Sequence, residues 1–413
     1  MIAQAELALI IESFEGDQDP FITTAIRNTA GAMVEQAAKI HQGQNVLIWF
    51  DEPGMQLVKE INLRCIAKGA TVNFFMRDLN KDAMVVPTMD EEGIKHYFDE
   101  EATLMDKADV VLIVRGPENP EAMKDVPPPL MGAYKKRYSE VHKRRSDGTV
   151  DWTLFLWPTQ YEADKEGLLY DEYFRVYMEA CNQPWEAIKQ AQAKLVDKLN
   201  KGKKIQFIAD EDNPNPRKRT NITMSIDGMT FANSTIDRNY PGSEVFSAPV
   251  LDSVNGQIYA DGEYIYDSKL MKNIYLKVEN GVIVEAFAEE GNEGLQEILS
   301  QGEGARKFGE VALGTNPGLK RRFFNDLLNE KVGGSFHMAI GHCYEFDEYG
   351  GVPVHVNNGN TEDKTPNHWD LTILMHRRSD GTGGGKVILD DEVIQEDGLF
   401  KDPELAILNP KFN

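Results

Sequence analysis

The chain has 413 residues, which suggests two domains, and its 41% hydrophobic content is enough to fill real cores. Sixty-seven acidic residues against 44 basic ones give a net charge of −23, which argues against nucleic acid or an anionic membrane as the main partner. Cys65, Cys181 and Cys343 are too few and too scattered for a disulfide framework, and no CxxC pair exists for a zinc ribbon, so a reducing, cytoplasmic setting is expected.

The opening residues, MIAQAELALIIESFEGD, hold a short apolar run without a basic flank and do not read as a signal peptide. No apolar stretch reaches membrane-spanning length. TTAIRNTAGAMVEQAAKIHQG (23–43) and GMQLVKEINLRCIAKGA (54–70) place apolar residues at helical spacing. NVLIWFD (45–51), TVNFFMR (71–77), DVVLIVRG (109–116) and DWTLFLWP (151–158) read as strands between such helices. This rhythm predicts an N-terminal α/β domain over residues 1–202, with a mostly parallel sheet and helices on both faces. No GxGxxG or GxxxxGK[ST] follows any of these strands, so nucleotide binding has no support there.

PWEAIKQAQAKLVDKLNKGKK (184–204) reads as a long helix leading out of that domain, and DEDNPNPRKRTN (210–221) as a loop. Short strands and turns then dominate, with hairpin signals at Asp261-Gly262 and Asn280-Gly281. Residues 203–413 are therefore expected to form a β-rich α+β domain. RRSDGT occurs at 144–149 and 377–382 with different flanks and reads as reused turn chemistry. GTGGGK (381–386) lacks the Ser/Thr of a phosphate loop and reads as a hairpin tip.

Five of the eight histidines fall between residues 337 and 376. Side chains alternate faces along a strand, so PNHWDLTIL (366–374) sets His368 and Asp370 on one side and Trp369, Leu371 and Ile373 on the other. GGSFHMAIG (333–341) places His337 among small residues, opposite Phe336, Met338 and Ile340. KFGEVALG (307–314) aims Glu310 and Ala312 away from Val311 and Leu313, and NYPGSEVFSAP (239–249) brings Glu244 in after a Pro-Gly turn. Charged groups on such strands are costly to bury without a partner, and a metal is a natural one. Glu244, Glu310, His337, His368 and Asp370 exceed the needs of one tetrahedral zinc. They match a two-metal centre, in which carboxylates bridge ions roughly 3.5–4 Å apart. Zn²⁺, Co²⁺ and Mn²⁺ all suit imidazole and carboxylate donors. The structural alternative is an HxD pair without metal and a buried Glu310 paired with an arginine. His342, His355 and His376 read as surface or supporting residues.

RNYPGSEVFSAP (238–249), FGEVALGTNP (308–317), NEKVGGSFHMAIG (329–341) and HWDL (368–371) resemble the aminopeptidase T and aminopeptidase S type metallopeptidases of bacteria, in the family's order and with similar spacings. The resemblance is specific over about residues 225–400 and looser before them. It implies that the five residues ligate two divalent ions, with Asp370 or Glu310 bridging. It also implies that Tyr344, seven residues after His337, is the catalytic tyrosine that hydrogen-bonds the oxyanion. Glu310 is the candidate for carrying the proton to the leaving amine. The expected substrates are short peptides or small amides, cleaved by a water that the two ions activate, within a homodimer enclosing an inner cavity.

Three features depart from the family pattern. Its DEK reads Asn329-Glu330-Lys331, its GTDL-like segment is replaced by DEDNPNPRKR, and the stretch 345–367 is acidic and Asn-rich. A rival reading comes from the resemblance of some relatives to 2,5-dihydroxypyridine dioxygenase, a ring-cleaving enzyme. There, His337, His368 and Asp370 would hold one Fe(II).

Overall fold

The structure, a computed structural model, describes residues 20–411 apart from 147 and 268. The N-terminal apolar run discussed above lies outside the described residues. The contacts divide the chain into two compact units: Met1–Asn182 with Ile236–Pro241, and Gln183–Thr235 with Gly242–Asn413. The expected break at 202/203 differs from this division. The helix Trp185–Leu199 goes with the second unit, because its apolar face (Trp185, Ile188, Ala191, Leu195, Leu199) packs on the turn Pro403–Leu408 and on the strands Ala232–Ser234 and Glu244–Ser247.

The first unit is built on a five-stranded parallel sheet. Its order is Thr71–Arg77, Asn45–Asp51, Val110–Arg115, Asp151–Leu156 and the short Asn239–Tyr240. Val46 to Asp51 are all buried, as are Val110 to Val114, which is why these strands read as continuous apolar runs. Among the described residues no helix is long and apolar enough to cross a membrane.

The second unit contains an eight-stranded antiparallel sheet and a five-stranded one. Their apolar faces meet where the Phe207 and Phe336 rings stack at 4.2 Å and 13°. Tyr266 and Trp369 stack at 5.4 Å, and the Tyr264 hydroxyl donates to the Thr372 carbonyl at 2.7 Å. Asn280-Gly281 forms the expected hairpin turn, with φ of 48° and 77°. Asp261-Gly262 does not. It is a bulge inside the long strand Asn255–Tyr266, where Gly262 (φ 86°) donates to Asn273 Oδ1 and the Arg322 guanidinium binds the Asp261 and Glu263 carbonyls.

The five-stranded sheet runs in the order His368–Leu374, Ser335–Gly341, Phe308–Gly314, Glu244–Ser247, Ala232–Ser234, all antiparallel. Phe336, Met338 and Ile340 anchor its inner face and are fully buried. Phe336→Ala should cost about 3–5 kcal/mol through lost burial and an unfilled cavity between the sheets. Chemical denaturation should show this as a lower midpoint with an unchanged slope.

Candidate metal centre

Sheet register explains how residues far apart in sequence converge. Glu310 lies across from Ala339, and Ala339 across from Asp370, so the two carboxylates share one row. In the next row Ala312 pairs with His337 and with Phe246, and His337 with Thr372. Glu244 sits across from Gly314, and His368 across from Gly341. Cross-strand partners project to the same face, so all five predicted ligands stand on the side opposite Phe336 and Met338. Alanine and glycine fill the positions between them, which leaves room above the sheet. Gly341 (φ 113°) ends its strand so close to the Asn367 backbone that no side chain could be accommodated.

One donor atom each from Glu244, Glu310 and His337 lies within 4.8 Å of the others, and the same holds for Glu310, His368 and Asp370. Glu310 belongs to both sets. Its Oε1 is 3.6 Å from His337 Nε2 and its Oε2 3.0 Å from His368 Nε2. Glu244 Oε2 lies 3.4 Å from His337 Nε2, and Asp370 Oδ2 3.8 Å from His368 Nε2. Glu244 Oε2, Asp370 Oδ1 and His337 Nδ1 are buried without a hydrogen-bond partner among the described residues. His368 donates from Nδ1 to the His342 carbonyl at 2.7 Å, which orients the ring and turns Nε2 toward Glu310.

Charge within the cluster is strongly coupled. Burial alone would raise Glu310, but the His337 and His368 imidazoles beside it outweigh it and hold the carboxyl at about 2. Burial opposes protonation of both imidazoles, yet the surrounding carboxylates raise His337 to about 9 and His368 to about 10. Burial raises Asp370 to about 7 and also raises Glu244, despite Lys331 beside it. Burial of its hydroxyl end and then the nearby carboxylates keep the Tyr344 phenol well above its usual range, although the residue as a whole is 36% exposed. A cation entering this cluster must displace the protons held on the two imidazoles. Buried oxygen and nitrogen donors with unpartnered lone pairs fit a divalent metal.

Sequence reasoning missed the layer behind the ligands. Lys331, 1% exposed, places Nζ 2.6 Å from Glu244 Oε1 and 2.6 Å from Glu330 Oε2. Gln192, fully buried on the helix Trp185–Leu199, donates to the Glu244 carbonyl at 2.9 Å and to Thr315 Oγ1 at 3.0 Å. The Asn329 side chain pairs with both the N–H and the carbonyl of Phe323, so the residue that replaces the family's first acid pins a loop. His376 donates to the Gly333 carbonyl and His355 is exposed, outside the cluster. Its place inside the family-like block NEKVGGSFHMAIG was the one available signal for Lys331.

The family profile described as thermophilic metalloprotease (M29) matches residues 22–391. The chain belongs to this family. Aminopeptidase AmpS of Bacillus subtilis is 26% identical over 350 residues, covering 77% of this chain and 84% of that protein. Aminopeptidase 2 of Geobacillus stearothermophilus is 25% identical over 362 residues, covering 79% and 83%. The solved structure of wild-type AmpT from Thermus thermophilus superposes with a TM-score of 0.72 at 22% identity. It covers 92% of this chain and 100% of that one, which establishes a shared fold.

Membership of the M29 metalloproteases makes a divalent metal part of this protein's chemistry and gives the Lys331 layer a purpose. Lys331→Met removes the one ammonium between Glu330 and Glu244. Breaking a buried pair of this kind should cost about 3–5 kcal/mol. The thermal midpoint should fall and metal retention through gel filtration should drop; unchanged values in both would show that Glu244 does not depend on Lys331.

Proposed function

We propose that this M29 protein is a two-metal aminopeptidase that removes the amino-terminal residue from short peptides, with Glu244, Glu310, His337, His368 and Asp370 holding the ions. The observation that carries this reading is the membership of Glu310 in both donor sets, with one oxygen facing each histidine. Zn²⁺, Co²⁺ or Mn²⁺ suits these donors. The cytoplasmic setting and the homodimer expected from the sequence belong to the same proposal.

Two bound divalent ions supply Lewis acidity and make a water nucleophilic at neutral pH. Glu310, a member of both donor sets with one oxygen facing each histidine, is suited to holding both ions and not to carrying protons. This departs from the expectation that Glu310 delivers the proton to the leaving amine. Glu330 stands outside both donor sets, its side chain 19% exposed, and we assign the proton transfer to it. Lys331 holds Glu330 beside Glu244 through its two 2.6 Å contacts. Tyr344, its ring 5.0 Å from that of His368, keeps its proton and donates to the oxyanion that forms as the carbonyl is attacked.

A mononuclear iron, ring-cleaving reaction is not supported. It calls for two imidazoles and one carboxylate, whereas Glu244 and Glu310 also stand in the cluster, and the relatives described above are aminopeptidases.

Chelation should abolish hydrolysis of dipeptides and aminoacyl amides, and elemental analysis should find two metals per chain; one per chain would overturn the bridging role of Glu310. Glu310→Gln should lose both metal and turnover. Glu330→Gln should keep both metals while kcat falls about 10²–10⁴-fold. Tyr344→Phe should lower kcat by about 10²–10³-fold with little change in KM. Wild-type kcat in Tyr344→Phe would remove the tyrosine from the mechanism.

A further inference from the structure

Beside the ligand cluster the sheet carries Phe246, two residues along its strand from Glu244 and therefore on the same face. Its ring meets Tyr344 at 5.4 Å, Phe346 at 6.2 Å and Tyr349 at 5.3 Å. Tyr344 in turn lies 5.0 Å from His368 and stacks on Phe346 at 5.2 Å. A continuous aromatic surface thus runs from a ligand imidazole into the segment that departs most from the family pattern. Along that segment the residue types alternate: Glu345, Asp347 and Glu348 are exposed, while Phe346 and Tyr349 turn inward.

Two observations set this surface apart from ordinary core. Its outer layer is open: Tyr344 is 36% exposed and Phe346 and Tyr349 are partly so, while Phe246 beneath them is buried. It is also braced from behind. Ala232, Ala312, Val354 and Val356 pack under it, and the Tyr349 hydroxyl bonds to Ser234 Oγ at 2.9 Å. A rigid, solvent-reaching aromatic wall beside a reactive centre is the chemistry of a pocket for an apolar side chain.

We propose that Phe346 and Tyr349, seated on the buried Phe246, form the wall that receives the side chain of the substrate's amino-terminal residue, selecting aromatic and large aliphatic side chains over small or acidic ones. This rests on the aminopeptidase reading given above. The substrate's cationic α-amine is drawn to the acidic end of the cluster, where Glu244 and Glu330 lie. The side chain on the same carbon then falls against Phe346 and Tyr349, the half-buried rings over Phe246. The exposed acids of the segment, in a chain of net charge −23, repel acidic side chains at the mouth.

The test uses the metal-loaded wild-type enzyme with p-nitroanilides of Phe, Leu, Ala and Glu, and with Ala-X dipeptides that vary only the second residue. Wild type should prefer the Phe and Leu anilides over Ala by about tenfold or more in kcat/KM, within the range one hydrophobic pocket supplies. Phe346→Ala and Tyr349→Ala should each shrink the Phe-to-Ala ratio several-fold, mainly through KM, and Phe346→Leu should restore part of it. An equal loss on every substrate assigns the wall to packing and overturns the inference. Discrimination that follows the second residue of the dipeptides overturns the assignment to the amino-terminal side chain. Hydrolysis without discrimination sinks this inference alone, whereas no hydrolysis of any substrate sinks the aminopeptidase reading and the inference with it.

Discussion

Carboxylates removed from water must meet positive charge, and the second unit is organised around that requirement. Glu244, Glu310, Asp370 and Glu330 converge near a single ammonium, that of Lys331. Four negative groups and one positive group leave a charge of −3 when the imidazoles are neutral. Three groups of the cluster, Asp370 among them, carry proton affinities raised to the neutral range or above: His337 at about 9, His368 at about 10 and Asp370 at about 7. Up to three protons can therefore balance the deficit, and divalent cations can replace them at the same donor atoms. The cluster is suited to a cation because its carboxylates outnumber its one ammonium.

The sheet makes such crowding geometrically possible. Antiparallel strands bring Glu310 and Asp370 into one row with only Ala339 between them, and His337 into the neighbouring row beside Ala312. Bulkier residues at either alanine would occupy the space the donor atoms share. On the other face Phe336, Met338 and Trp369 fix each strand, with Phe336 stacked on Phe207 of the second sheet. Rigidity on the apolar face keeps like charges at short range on the polar face. A mobile loop carrying the same carboxylates would relax away from the cluster.

Much of this was legible in the sequence, because strand alternation is a local property. The His368/Asp370 pair opposite Trp369 and Leu371, and His337 among small residues, could be assigned to faces from a few neighbours each. Which carboxylate is shared could not. The position of Glu310 between two histidines depends on the register of three strands drawn from residues 308–374, including a bulge between Phe308 and Glu310. Lys331 was hidden for a related reason, since a lysine beside Asn329-Glu330 has the local signature of a solvated turn. Gln192 was hidden by distance, on a helix about fifty residues before the glutamate whose carbonyl it binds. The Asp261-Gly262 error has the same origin: a turn dipeptide and a bulge share the need for positive φ, and only the partner strand decides between them.

The asparagines of the diverged segment also follow from the charge of the centre. Asn358 donates to the Pro249 and Phe308 carbonyls, Asn360 to those of Gly304 and Gly341, and Asn367 to that of Ile298. Asn358 and Asn360 tie the segment to backbone at or near the ends of the donor-bearing strands, and Asn367 ties it to the end of the helix Asn292–Ile298. Lysine or arginine could donate to the same carbonyls, but would add a further permanent cation to the one Lys331 already supplies. Aspartate could not donate at all and would deepen the negative charge. A neutral donor with two N–H groups satisfies both constraints. The unusual composition is thus what a tethered loop requires when its neighbour is a crowd of carboxylates.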